Sequence, residues 1–362
     1  MAADSGSSGA PAQANLLSRV AVDRGTAIRA VVVAAFILAA LFAVPALTNA
    51  YWELVLLTAG IYTIVALGLA LLIGRVGLIS LGQVALFAVA GWIALRLGFA
   101  THMSFLLLIL VTGLITTVVG VLIGLPALRL TGLYLALITL MFAAAITLAL
   151  AATQFPNGGS GFLGYSVNTT ANAALARPGF AESDAAYYRL VIIVGGLMFL
   201  LAGLHVRSRA GRAWAAIRQS EAAAMAAGVN VTLYKLWALA LASFMTGVAG
   251  ALLVASGGGL TVFQFPTQNS IILAAVVLMG GVYTFWGPIV AGLLFQFLPA
   301  LLRTWGLPAD LLTILFGIGV LQVQLQAPAG IAVQLPRDLA SLGRLLWRLV
   351  RRKPSSRQQD LE

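Results

Sequence analysis

Long apolar stretches alternate with short polar ones along most of the chain. Ten of these stretches have the length, roughly 20 residues, and the apolar character that an α-helix needs to cross a bilayer. They fall at residues 30–48, 53–73, 79–97, 103–125, 131–152, 188–206, 235–256, 268–284, 286–302 and 309–326. The pattern predicts an all-α, polytopic membrane protein with about ten transmembrane helices.

The boundary between the eighth and ninth stretches is the least defined. Gly280-Gly281 and Trp286-Gly287-Pro288 lie between them and are rich in residues that end or bend helices. This cluster is compatible with a tight turn between two helices and equally with a break inside one long bent helix. The sequence leaves both arrangements open.

Composition supports a membrane protein and narrows its chemistry. The chain is 61% hydrophobic and 9% charged, with a mean hydropathy of +1.02, outside the range of soluble domains. Its net charge of +11 does not indicate nucleic-acid binding, because the basic residues lie between apolar stretches, as the positive-inside rule requires. With no cysteine, the chain has no disulfide and no thiolate metal ligand.

The basic residues also predict the orientation. If the amino terminus is cytoplasmic, ten spans place 17 of the 21 Lys and Arg residues on the cytoplasmic side. We therefore expect a disordered cytoplasmic segment at residues 1–28, a transmembrane domain at 29–327 and a basic cytoplasmic tail at 328–362. Both termini are expected in the cytoplasm.

Two connecting segments are long enough to carry function. The outer loop, 153–187, contains FPNGGSGFLGY, whose glycines and proline indicate turns. It is either a solvated connector or a surface that receives another protein. The cytoplasmic segment, 207–234, instead reads as a basic amphipathic helix.

Within the cytoplasmic segment, Arg218, Glu221 and Met225 have the spacing of one helix face. Gly228 is expected to end the helix in the left-handed conformation. The small alanines between them would let the groove of a partner protein close over the helix. The alternative is a basic helix that rests on anionic lipid.

The chain lacks the residue patterns of a nucleotide site or an enzyme. There is no GxxxxGK[ST] motif, no metal-ligand cluster and no nucleophile–base pair in the sequence. We therefore expect no catalytic residue and no metal site. No carboxylate lies near the middle of a predicted span, which weighs against a proton- or ion-coupled transporter.

The remaining candidates are small and uncharged polar residues. The glycine-rich segment 74–82 indicates either close helix packing or a helix that unwinds beside a cavity. Gln83, Tyr134 and Thr139 are candidates for a substrate path. Gln83 equally suits packing, Tyr134 suits an interfacial anchor, and Thr139 can bond to its own helix.

Several blocks together resemble a known family. The block SRAGRAWAAIRQSEAAAMAAGVNVTLYKLWALALASFMTGVAGAL resembles the coupling region of branched-chain amino-acid permeases of the LivM type, in the LivH/LivM family. GLISLGQVALFAVAGW, LRLTGLYLALITLMF, NGGSGFLG and SIILAAVVLMGGVYTFWGPIVAGLL fit the same family. The blocks follow the family order and cover most of residues 60–325.

The resemblance implies a type II-like permease of an ATP-binding-cassette (ABC) importer in the bacterial inner membrane. It implies a second permease subunit, two separate ATP-binding subunits that carry ATP and Mg, and a periplasmic or lipid-anchored solute-binding protein. The residues it assigns to the ATPase contact are Arg212, Arg218, Glu221, Ala223, Ala224 and Gly228. The permease itself would be a transport subunit and not an enzyme.

The chain departs from the family pattern at three places. Gln83 stands where members often have His, and Met225 where they often have a second acid. Residues 327–330 read APAG where an Arg often follows the Pro. The first departure bears on pore roles and the second on which ATPase fits.

The expected substrate is a branched-chain or other hydrophobic amino acid. Urea and short amides are the alternative within the family, because the chain offers no charged group that would choose between them. A stand-alone secondary transporter or channel is the alternative from another class.

Overall fold

The computed structural model describes residues 38–101, 103–127, 132–152, 175–261, 264–306, 309–326 and 330–334. Residues 1–28, Arg129, most of the outer loop and most of the basic tail lie outside these ranges. The chain divides into two compact units, 1–53 and 54–362. In the first, the described residues form a short helix and the first turn of the next, where Asn49 Oδ1 accepts a hydrogen bond from the Trp52 N–H at 3.1 Å.

Helices make up nearly all of the described chain, and these residues contain no β-strand. We number them α1 (Leu38–Leu47), α2 (Ala50–Leu71, continued by a π turn at Leu72–Val76), α3 (Gln83–Thr101), α4 (Phe105–Ala127), α5 (Leu133–Ala152), α6 (Asp184–Arg207), α7 (Arg209–Gln219), α8 (Glu221–Ala226), α9 (Val231–Gly257), α10 (Thr267–Gly280), α11 (Gly287–Thr304) and α12 (Ala309–Gln326).

Each of the ten predicted apolar stretches overlaps one of the helices in the described part of the chain, which confirms the all-α class. Among the described residues, seven helices are long and apolar enough to cross a membrane, namely α2 with its π turn, α3, α4, α5, α6, α9 and α11. The described part of α1 and the whole of α10 are shorter. At 14 residues, α10 spans about 21 Å, less than the bilayer core. The count of ten crossings therefore stays a prediction.

The open question about residues 280–288 is answered by packing. Helix α10 ends at Gly280, residues 281–286 form a turn, and α11 begins at Gly287. Helices α10 and α11 pack against each other. They are therefore two helices joined by a tight turn, and not one bent helix.

Helix α9 lies at the centre of the main unit and packs against α3 and α4. Its close approach depends on glycine. A Cβ at Gly247 would lie 2.7 Å from the Cα of Gly113, and one at Gly250 would lie 2.8 Å from the backbone nitrogen of Gly91. Helices in lipid gain their stability from such close packing, because burial of apolar surface adds little there.

The two ends of α9 gather different elements. At its start lie the π turn and the α7–α8 segment. At its end, Leu175 N donates to the Gly258 carbonyl at 3.1 Å and Arg177 Nη2 donates to the Ser256 carbonyl at 3.0 Å. Among the described residues, the π turn with Arg75 and the α7–α8 segment, which charge alternation assigns to the cytoplasmic side, thus lie at one end of the bundle.

Candidate coupling segment and transport path

The chain turns sharply between α6 and α7. The Ser208 hydroxyl donates to the His205 carbonyl at 2.7 Å and accepts from the Ala210 N–H at 3.1 Å, so one side chain closes α6 and caps α7. A Cβ at Gly211 would collide with the Val206 backbone carbonyl. Only glycine allows this bend.

Helix α7 is amphipathic, as its sequence predicts, and its apolar face is docked on the bundle. Ala213, Trp214 and Ile217 are buried. The indole Nε1 of Trp214 donates to the Tyr234 carbonyl in the first turn of α9 at 2.8 Å. Arg212 lies on the exposed face.

The prediction of one helix through Arg218, Glu221 and Met225 is wrong. Ser220 adopts an extended conformation, with φ −161° and ψ 118°, and separates α7 from α8. Its hydroxyl accepts from the Ala223 N–H at 3.2 Å and therefore caps α8. Because serine competes for backbone hydrogen bonds, it favours a new helix start over a helix interior. The three side chains therefore do not share one helix face.

The end of α8 agrees with the prediction. Gly228 has φ +80°. Its N–H donates to the Met225 carbonyl and that of Val229 to the Ala224 carbonyl, both at 2.9 Å. This is the Schellman arrangement, which requires a left-handed residue at the position of Gly228.

An ion pair fixes α8 to α9. Lys235 Nζ donates to Glu221 Oε1 at 2.6 Å. The Lys235 side chain is 5% exposed and the Glu221 side chain 43% exposed. Because an unpaired cation at a buried site is costly, Glu221 stabilises Lys235 in place.

Arg218 is exposed, but its side chain bonds to two other parts of the chain. Its Nη1 donates to the Gly74 carbonyl at 2.8 Å, and its Nη2 donates to the Tyr283 hydroxyl at 2.7 Å. The guanidinium also lies 4.4 Å from the centroid of the Tyr283 ring, within the range of a cation–π interaction.

The six residues predicted for the ATPase contact thus differ in placement. Arg212, Arg218, Ala223 and Gly228 are exposed, whereas Ala224 is buried, with 2% of its surface exposed. Arg218 and Glu221 are engaged within the chain. We define the small-residue face as the exposed residues of α8 and its cap, namely Ala222, Ala223, Met225, Ala226, Ala227 and Gly228.

Helix α2 unwinds where the glycine-rich segment predicts either unwinding or close packing. The π turn ends at Gly77, which has φ +82°, and residues 78–82 are not helical. The Leu81 N–H donates to Thr139 Oγ1 at 2.9 Å, and the Thr139 hydroxyl donates to its own helix at the Ala136 carbonyl, 3.0 Å away. Thr139 therefore bonds to its own helix and also holds the unwound segment.

Gln83 begins α3 directly after this segment and is 1% exposed. Its Oε1 accepts from the Thr246 hydroxyl of α9 at 2.9 Å. Its Nε2 has no hydrogen-bond partner in the described part of the chain. A buried amide donor without a partner costs free energy, and such a group is a candidate for binding a ligand or water.

A cavity of about 30 Å³ lies beside the unwound segment. Ser80, Gly82, Leu86, Gly120 and Thr139 are among the residues that line it. Its volume is enough for about two water molecules. The structure therefore brings Thr139 and the unwound segment together around a small, partly open cavity, with Gln83 adjacent in sequence.

Tyr134 does not join this group. It lies at the start of α5 and is 70% exposed. Tyr134 and Thr139 are five positions apart, which separates their side chains by about 140° around the helix, so the two cannot face one interior. An exposed tyrosine at a helix end has the placement of an interfacial anchor.

The fold defines a multi-pass helical membrane protein with uncharged polar groups beside a broken helix. The family described as branched-chain amino acid transport system / permease component matches residues 51–323, and the chain belongs to this family. This match confirms the resemblance found in the sequence.

Two relatives support the assignment to this family. The chain is 29% identical over 261 residues to the high-affinity branched-chain amino acid transport system permease protein LivM of Salmonella typhimurium strain LT2, and 28% identical over 261 residues to its counterpart in Escherichia coli K12. Each alignment covers 67% of this chain and 61% of the relative. The chain thus spans about three-fifths of the length of these relatives. No solved structure matches the chain.

Proposed function

We propose that this chain is the permease subunit of an ABC importer for branched-chain or other hydrophobic amino acids. It forms the translocation path with a type II-like bundle and couples to separate ATPase subunits. The observation that carries the proposal is the α7–α8 segment in a chain of this family. Two short capped helices between the spans α6 and α9 present the small-residue face to a partner.

The partners follow from the same proposal. A second permease subunit completes the path, two ATP-binding subunits hold ATP and Mg beneath the pair, and a periplasmic or lipid-anchored solute-binding protein delivers the substrate. The chain itself is not an enzyme in this assembly. It is a multi-pass protein of the inner membrane, with both termini and the α7–α8 segment in the cytoplasm.

The substrate path runs beside the unwound segment. Gln83 Nε2 supplies an unpaired buried donor, and Thr139 and Ser80 border the cavity. The backbone groups freed by unwinding, together with the start of α3, suit the carboxylate and ammonium groups of a zwitterion without a charged side chain. When the ATPases move α8, this path opens alternately to the two sides of the membrane.

Reconstitution tests the proposal. The chain is placed in vesicles alone, and then with its ATPase, second permease and binding-protein partners, and uptake of leucine and of urea is followed. We expect leucine uptake that needs ATP and the partners. Urea uptake without leucine uptake would make the chain a urea or short-amide permease. Uptake by the chain alone, indifferent to ATP, would instead identify a secondary transporter or channel.

A further inference from the structure

Arg218 occupies the last turn of α7, close to the small-residue face, and although the residue is exposed, its guanidinium bonds to other parts of the same chain. Two of its nitrogens donate in parallel, to the Gly74 carbonyl at 2.8 Å and to the Tyr283 hydroxyl at 2.7 Å. A planar guanidinium is suited to two such simultaneous bonds, which a lysine ammonium on a flexible stem cannot reproduce. This geometry ties α7 to two distant parts of the chain.

The first of these parts is the π turn that precedes the unwound segment. Gly74 lies in the last turn before the helix ends, where carbonyl groups lack helical donors and a cation is favoured. The aliphatic part of Arg218 also runs along the break, because its Cγ lies 3.6 Å from the position of a Cβ on Gly77. Arg218 thus contacts the end of α2 at the residue where unwinding starts.

The second part is the turn between α10 and α11. Tyr283 lies in this turn and accepts the Arg218 bond with its hydroxyl. Its backbone carbonyl accepts from Arg75 Nη2 at 3.3 Å, so the π turn and the α10–α11 turn are also joined directly. A single side chain of α7 therefore meets both turns at the place where they touch.

We infer that Arg218 is a positioning residue that carries displacement of the α7–α8 segment to the unwound segment 77–82. This segment bonds to Thr139 through the Leu81 N–H and is followed directly by Gln83. The series of contacts from Arg218 therefore reaches the candidate substrate path. This inference rests on the proposed function, in which ATPases move α8. It assigns to Arg218 a role different from direct contact with the ATPase.

The absence of cysteine from the sequence allows a direct test. Ile79 lies in the unwound segment and is 43% exposed, so Ile79→Cys gives one labelling site. The full complex with this substitution is reacted with a maleimide, with and without ATP plus vanadate, and the label on this chain is measured. We expect nucleotide to change the labelling rate, and Arg218→Lys to abolish that change while ATP hydrolysis continues.

Two further variants make the test specific. Tyr283→Phe keeps the ring and removes only the hydroxyl that Arg218 contacts, so we expect it to reduce the nucleotide effect. Arg303→Lys, the same exchange at an exposed arginine near the end of α11, should leave the effect unchanged. Leucine taken up per ATP hydrolysed should fall about tenfold in Arg218→Lys, the fold-change that accompanies ~1.4 kcal/mol of lost coupling.

The outcomes separate the inference from the proposed function. An Arg218→Lys complex with a full nucleotide effect on Ile79→Cys would overturn the inference. The inference would also be overturned if a complex carrying Ile79→Cys alone assembled and hydrolysed ATP, but nucleotide did not change its labelling rate. Failure of the ATPases to co-purify with the unaltered chain would overturn the proposed function and the inference with it.

Discussion

Lys235 is the buried cation of the α7–α9 region, and its position depends on one carboxylate. It lies at the fifth residue of α9, within hydrogen-bond distance of Glu221, and is almost fully enclosed, whereas Glu221 is partly exposed to solvent. The contribution of this pair to stability should therefore lie between that of a surface ion pair, which is small, and that of a buried pair, whose disruption is costly. It anchors α8 against the helix at the centre of the bundle.

Glu221→Gln should therefore lower the free energy of unfolding by about 1–2 kcal/mol, less than for a fully buried pair, because Glu221 is partly solvated. Glu221→Lys adds a second cation and should displace α8, with loss of ATPase co-purification and uptake from a protein that still inserts. Thermal unfolding in detergent and pull-down of the ATPases measure the two effects.

Glu182→Gln, the same exchange at an exposed residue near the start of α6, serves as the control and should match the wild type. The double variant Glu221→Lys/Lys235→Glu restores opposite charges at this site and should recover part of the loss. If Glu221→Lys bound the ATPases normally, the role assigned to the pair would be wrong.

Gly228 ends α8 at a positive φ that a side chain resists. A β-branched residue there should cost more than the roughly 1–2 kcal/mol of an ordinary left-handed residue. We expect Gly228→Val to unwind the last turn of α8 and to abolish ATPase co-purification, whereas Gly228→Asn, a residue that tolerates this conformation, should retain most of it. Amide hydrogen exchange in α8 reports the unwinding. Equal protection in the two variants would refute the argument.

At the scale of elements, the positions of the helices could be predicted because the length and apolar content of a span are local properties. Gly228 could be predicted for the same reason, since a left-handed cap is determined by one residue and its neighbours. The break at Ser220 could not be predicted, because a serine is compatible with a helix interior and with an N-cap.

Long-range partners could not be predicted from the sequence. Arg218 bonds to residues 144 and 65 positions away, and no local pattern marks Gly74 or Tyr283 as its acceptors. Thr246, the partner of Gln83, lies 163 positions away. The sequence does contain an indication of the Glu221–Lys235 pair, because Glu221 is the sole acid in the stretch 207–235 and Lys235 is one of two lysines in the chain.

The contact of the π turn with the α10–α11 turn gives a prediction about elements. A Cβ on Gly74 would collide with the Val282 carbonyl, a backbone atom that cannot rotate away. Gly74→Ala should therefore separate the two turns and lower the free energy of unfolding by about 1–3 kcal/mol. The melting temperature in detergent measures this change.

Gly196→Ala provides the matched control, because a Cβ at Gly196 in α6 meets no atom within 4 Å. There the gain in helix propensity should leave stability unchanged or slightly raised. Similar melting temperatures for the two variants would show that the turns are not in tight contact.

In the described residues of the unit 54–362, the arrangement of charge and the arrangement of contacts agree. Arg75, the α7–α8 segment and the α10–α11 turn meet at one end of the bundle, through Arg75 and Arg218. The end of the outer loop, the start of α6 and the end of α9 meet at the other, through Arg177. A single inversion of one span would have placed members of one group at opposite ends.

This sorting predicts which residues are reached from each side of the membrane. Phe180→Cys and Met225→Cys place one thiol in a cysteine-free chain at exposed positions, 63% and 59%, at opposite ends of the bundle. In intact spheroplasts an impermeant maleimide should label Phe180→Cys, because the positive-inside rule assigns the basic end to the cytoplasm. Met225→Cys should react only after the membrane is opened. The reverse pattern would show the opposite orientation, in which cytoplasmic ATPases could not reach the small-residue face. Equal labelling of both thiols would contradict the separation of the two ends.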